Sequence, residues 1–208
     1  MLLIGLLLAT QAAHAQATME GTVALPGATA SLPPNQRYQN TAGTEPAPPE
    51  PSAAVVYLEG QFPAANPPPT IQLPQKNFRF ATSLLPIQRG TTIEFPNQDD
   101  FYHNVFSYSK PKRFDLGRYL KSEQPPRQLF DQTGVVRLYC EIHEHMRCTV
   151  LVLDTPHFTK TDPAGHYRLT RLPPGRYTLK AWLGEKKIRE HPVELRDGQT
   201  LRVDFPAP

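Results

Sequence analysis

Cysteine is nearly missing from these 208 residues. There are two, Cys140 and Cys148, which excludes a disulfide scaffold. Charge of one sign is also scarce: 22 basic against 19 acidic residues leave a net +3, too little to imply a nucleic-acid binder. Tryptophan occurs once and methionine three times. The longest apolar run, Leu2 to Leu8, falls well short of the roughly 20 residues that a membrane-spanning helix needs. No nucleophile, histidine and acid group together in the pattern of a hydrolase. What the chain has in excess is proline, 24 residues, twelve of them between Pro26 and Pro74. Proline lacks the amide donor and clashes inside a helix, so long helices are excluded there.

Residues Met1 to Ala15 read as a secretory signal, with an apolar core and the small-x-small cleavage site Ala13-His14-Ala15. The expected mature chain is exported, in the periplasm, and not transmembrane. Gly21 to Leu25 and Ala53 to Leu58 read as strands, separated by a Pro-, Ala- and Thr-rich loop over 26–52. Beyond Ile71 the chain reads as all-β. Strands are expected at Asn77–Phe80, Leu85–Gln88, Thr91–Phe95, Asn104–Tyr108, Val135–Cys140 and Thr149–Leu153. In the strand before Cys140, Val136 and Leu138 share a face with the cysteine. Further strands are expected at His166–Leu169, Arg176–Trp182 and Leu201–Phe205, set off by the turns around Gly165, Gly175 and Gly198.

The chemistry concentrates in Cys140-Glu-Ile-His143-Glu-His145-Met146. This places a thiolate, an imidazole and a thioether on one short loop. His103 stands upstream at the start of its own strand. Two imidazoles, a thiolate and a weak axial thioether suit one copper ion cycling between Cu(I) and Cu(II). His145 is a competing ligand or a solvated side chain. A Cys140–Cys148 disulfide would abolish the site, and spacing alone leaves that open. The remaining histidines, His157, His166 and His191, are scattered, which argues against a multicopper enzyme.

The segment Phe95-Pro-Asn97-Gln-Asp99-Asp-Phe-Tyr-His103-Asn104-Val105-Phe106 resembles the first-histidine segment of the cupredoxins. Cys140-x2-His143-x2-Met146 resembles their C-terminal ligand loop, with the short spacing of the amicyanin type; plastocyanin uses a longer one. The resemblance implies copper ligands His103, Cys140, His143 and Met146, with Asn104 tying the two ligand loops together. It also implies a type 1 (blue) centre that carries single electrons, not an enzyme. Glu141 and Glu144 stand where such loops carry proline and aromatic residues, which implies a lowered potential. The alternatives are a periplasmic copper-trafficking protein that does not cycle, and a non-metal β-sandwich interaction protein.

The segment Lys110 to Arg127 carries a net +4 and interrupts the strand pattern. It reads as a solvated loop or as a surface for an acidic protein redox partner. The C-terminal part resembles transthyretin-like domains of the carboxypeptidase regulatory type, on Thr161-Asp-x2-Gly165-x-Tyr167-x-Leu169 and Leu172-Pro-Pro-Gly175-x-Tyr177-x-Leu179. The first strands of such domains match Gly21-Thr-Val23 and Ala54-Val55-Val56-Tyr-Leu58. The expected fold is therefore all-β: a Greek-key cupredoxin β-sandwich over 61–154 plus a small second β-sandwich over 155–208. Strands from 16–60 join the second, with the cupredoxin either inserted into it or in series.

Overall fold

The computed structural model describes residues 16–26, 50–63 and 65–207. The expected leader over 1–15 and residues 27–49 of the proline-rich stretch lie outside the described residues. The described chain is all-β. Its strands begin with β1 (Ala17–Thr22), β2 (Val55–Glu59), β3 (Thr70–Gln72), β4 (Gln75–Lys76), β5 (Arg79–Phe80) and β6 (Leu84–Gln88). There follow β7 (Thr91–Glu94), β8 (His103–Ser109), β9 (Lys112–Tyr119), β10 (Arg127–Phe130), β11 (Gly134–Tyr139) and β12 (Arg147–Leu153). The last are β13 (Phe158–Lys160), β14 (His166–Leu172), β15 (Gly175–Trp182), β16 (Ile188–Leu195) and β17 (Thr200–Arg202). Among the described residues no helix is long and apolar enough to cross a membrane.

Two β-sandwiches result. In the first, a three-stranded sheet ordered β10-β7-β3 packs on a five-stranded sheet ordered β6-β12-β11-β8-β9. Ile93, Phe95 and Phe130 from one side meet Val105, Val136, Leu138 and Val150 from the other, all buried. In the second sandwich, β14-β1-β17 packs on β13-β2-β15-β16. Strand β1 lies at the centre of its sheet, antiparallel to β14 and parallel to β17. Strand β2 lies between β13 and β15. Gly21 in β1 passes so close to the Val203 carbonyl that any Cβ there would overlap it. Met19, Leu58, Tyr167, Leu179 and Phe205 fill this second core.

Strands β2 and β12 break the simple alternation for one reason: both of their faces are buried. Val56 and Leu58 point into the second core, while Val55 and Tyr57 point the other way. Cys148, Val150 and Val152 point into the first core, while Leu151 and Leu153 point out of it. The outward sets meet, and Val55, Leu151, Leu153 and Trp182 form an apolar seam between the sandwiches. An ionic link runs beside it: Lys160 Nζ lies 2.7 Å from Glu50 Oε1, and Glu50 also accepts from the Ser83 hydroxyl at 2.7 Å.

Two expectations are corrected. Asn77–Phe80 is not one strand. Gln75–Lys76 and Arg79–Phe80 pair with each other, and Asn77 and Phe78 form the turn between them with φ of 52° and 60°. Lys110 to Arg127 does not interrupt the strand pattern either. Lys112–Tyr119 of it is β9, paired with β8 at the edge of the five-stranded sheet. Phe114 and Leu116 pack inward while Arg113 and Asp115 are exposed. Four of its cations are paired with carboxylates: Lys112 with Asp131, Arg118 with Glu141, Lys121 with Asp100 and Arg127 with Glu94.

The pairing of β1 and β2 yields a prediction. A chain beginning at Gln61 leaves β14, β15 and β17 without their central partners and exposes the second core. Its C-terminal part is expected to lose the dispersed amide spectrum of a folded sandwich. In the full chain, Leu179→Ala is expected to cost about 2–5 kcal/mol in denaturant unfolding, because Leu179 is fully buried beside Leu58.

Candidate metal centre

Strands β8, β11 and β12 are adjacent and alternate in direction. The start of β8, the end of β11 and the start of β12 therefore lie at one end of the sheet. His103 opens β8, Cys140 follows β11, and Met146 precedes β12. The loop between closes tightly, with the Met146 amide donating to the His143 carbonyl at 2.9 Å.

His103, Cys140 and His143 come together with their donor atoms within 4.8 Å of one another. The two Nδ1 atoms are 3.2 Å apart, and His143 Nδ1 is 3.8 Å from Cys140 Sγ. An ion about 2.0 Å from each nitrogen and about 2.3 Å from the sulfur spans separations of about 3.5 Å and about 3.7 Å at trigonal angles. The donor set thus fits a single metal ion. His103 and Cys140 are buried, and His143 is half-exposed. Met146 is buried in the same apolar cluster as Cys140. His145 is exposed, its ring 6.4 Å from that of His143, and stands outside the donor cluster.

Burial pushes the Cys140 thiol up, but it is overcome. Hydrogen bonds from His103 and His143, and from the backbone amides of Asn104 and His143, hold the thiol at about 5. The sulfur is therefore a thiolate at neutral pH, the form that binds metals. Cys148 differs. It is a free thiol, as Cys140 is, and burial among apolar side chains pushes its ionisation up.

Asn104 reaches across to the ligand loop, its Oδ1 accepting from the Glu141 amide at 3.1 Å. Its Nδ2 donates to Asp115 at 2.7 Å. Glu141 does not stand free beside the cluster, because its carboxylate lies 2.6 Å from Arg118 Nε.

Three residues of the site had no role in the sequence reading. Asp99 is buried with Oδ2 2.9 Å from His103 Nε2. Phe78 packs edge-on to His143, ring centres 4.9 Å apart, and stacks on Phe101 at 4.4 Å. Phe101 in turn meets His103 at 5.2 Å. A bulky residue in the left-handed region, as Phe78 is, costs on the order of 1–3 kcal/mol and is found where the surroundings enforce it. Below the site, Gln75 donates to the Tyr119 hydroxyl, which donates to the Phe95 carbonyl at 2.9 Å. The only hint in the sequence was the spacing of Asp99 four residues before His103.

A carboxypeptidase regulatory-like domain model matches residues 147–207, which run from β12 through β17. Among solved structures, the chain is similar to a Cu-containing nitrite reductase from Thermus scotoductus SA-01, at 25% identity and a TM-score of 0.38. That match covers 42% of this chain and 23% of the reductase, so the chain spans about a quarter of that protein's length. It is also similar to a reduced mutant of amicyanin, at 21% identity and a TM-score of 0.38, covering 47% of this chain and 98% of that one. An oxidized amicyanin mutant gives 22% identity, a TM-score of 0.38 and the same coverage. No curated protein matches the chain.

The thiol makes a pH prediction. A group whose folded value lies below its ordinary 9.0 contributes stability that is present above 9.0 and is lost as pH falls through about 5. In metal-free Cys148→Ser protein, thiolate ultraviolet absorbance is expected to rise with a midpoint near 5 and to vanish in Cys140→Ala. A midpoint near that of an ordinary thiol would show that the imidazoles do not hold the sulfur ionised.

Proposed function

We propose that this protein carries single electrons through one copper ion held by His103, Cys140, His143 and Met146. The observation that carries the reading is the pair of Nδ1 atoms at 3.2 Å, facing a sulfur held as thiolate. Bound copper supplies the one-electron couple, with thiolate and thioether favouring Cu(I) and the imidazoles accepting Cu(II). The chain's own part is to fix those donors. The end of β11 fixes Cys140, the closed loop fixes His143, and the amides of Asn104 and His143 donate to the sulfur.

His143 is the one half-exposed member of the donor cluster, so its edge is the route by which electrons enter and leave. In this reading the partner is a redox protein that meets this end of the sheet. The paired cations of β9 and β10 leave less free charge for docking than their number implies. In this reading Met1 to Ala15 is an export leader and the protein works in the periplasm as a carrier rather than an enzyme.

The test is the visible spectrum of Cu(II)-loaded protein. An intense thiolate-to-copper band is expected, and Cys140→Ala is expected to abolish it. A colourless protein that binds one Cu(I) would replace this reading with trafficking. A protein that binds no copper would leave a β-sandwich interaction module.

A further inference from the structure

One carboxylate stands between the imidazole of His103 and the turn that joins β4 to β5. Asp99 is 8% exposed and has three partners. Its Oδ2 lies 2.9 Å from His103 Nε2. The Asn77 amide donates to Oδ1 at 2.9 Å, and the Phe78 amide donates to Oδ2 at 3.3 Å. The residue is itself anchored. Its amide donates to Asn97 Oδ1 at 2.9 Å, and Asn97 Nδ2 donates to the carbonyls of Phe101 and Tyr119 at 2.8 and 3.0 Å.

The two sides of this carboxylate hold different things. An ionised carboxylate only accepts hydrogen bonds, so the proton sits on His103 Nε2. In the neutral ring, the form that binds a metal, that leaves Nδ1 with its lone pair toward Cys140 and His143; the Nδ1 proton that bonds the Cys140 sulfur belongs to the charged ring. On the other side, the two amides belong to the residues with φ of 52° and 60°, and the second carries the ring that packs on His143 and Phe101. Two amides that point at one anion account for a left-handed turn without glycine.

We propose that Asp99 is the positioning residue of the site: one carboxylate sets the tautomer of His103 and holds the Phe78–Phe101 aromatic pair over His143, and so controls how fast the metal leaves. This rests on the copper reading above. It extends that reading from which atoms bind to why the ion stays, which separates a carrier from a site that hands its metal on. Partners that orient a ligand in this way change metal affinity by about 10–100-fold when removed.

Two measurements on the full chain test it. The first is nitrogen-detected NMR of the histidines in metal-free protein at alkaline pH, where the imidazoles are neutral. His103 is expected in the Nε2–H form, and Asp99→Asn is expected to give a mixture of tautomers. Asp99→Glu, whose carboxylate accepts but cannot donate as an Asn amide can, is expected to restore the Nε2–H form. The second is loss of Cu(I) to excess bicinchoninate, expected to be at least ~10-fold faster in Asp99→Asn. Phe78→Asn keeps a residue that tolerates the left-handed turn and removes the ring. It is expected to speed loss while leaving the His103 tautomer unchanged, and it decides the second limb if Asp99→Asn does not fold. An unchanged tautomer in Asp99→Asn, or wild-type loss rates in both variants, would overturn the proposal. Because the tautomer is read without metal, a chain that failed to bind copper would sink the copper reading and still leave the role of Asp99 decided.

Discussion

Cys140 puts a sulfur that ionises near pH 5 into the protein interior, and that charge has to be answered there. A buried anion is tolerated only when it is paired and hydrogen-bonded. Here the answer comes from four directions: the imidazoles of His103 and His143, and the amides of Asn104 and His143. Each sits on a different part of the chain. The end of β11, the start of β8 and the ligand loop are therefore held to one geometry by one sulfur. Asn104 reinforces this by bonding the Glu141 amide across the gap between the two loops.

The rest of the fold supplies rigidity to that end of the sheet. The strands that carry the donors belong to a sheet that is buried on both sides over part of its length. Strand β12 presents Val150 and Val152 to its own core and Leu151 and Leu153 to the seam with the second sandwich. That seam meets β2, whose Val55 completes it. The second sandwich has no donor cluster of its own among the described residues. Its physical contribution is to cover the outer face of β12 and to close its own core with β1 and β2.

Much of the site was legible because its residues crowd into a short loop. Four side chains of metal-binding type within seven residues leave few geometries, and alternation in β11 already aimed Cys140 inward with Val136 and Leu138. Asp99, Phe78 and Phe101 were not legible as site residues, because what joins them, the Asp99 bonds to the Asn77 and Phe78 amides and the Phe78–Phe101 stack, spans more than twenty residues of chain. Asn77 and Phe78 read as strand since Phe78 and Phe80 alternate; in the structure they are the turn of a hairpin, and both of their amides donate to the Asp99 carboxylate. Strand β9 was hidden by charge. Its period-two signal, Phe114 and Leu116 between Arg113 and Asp115, was present, but the cations around it read as a solvated loop. Glu141 shows the converse: its charge was visible in the sequence, whereas its partner Arg118, on a strand across the sheet, was not.

The central claim is that one donor set serves both oxidation states without rearranging. X-ray absorption at the copper edge, on the same protein oxidised and then reduced, tests it most directly. The account predicts one short copper–sulfur and two copper–imidazole distances in both states, with little change between them. Loss of an imidazole on reduction, or a first shell without the short sulfur, would contradict it.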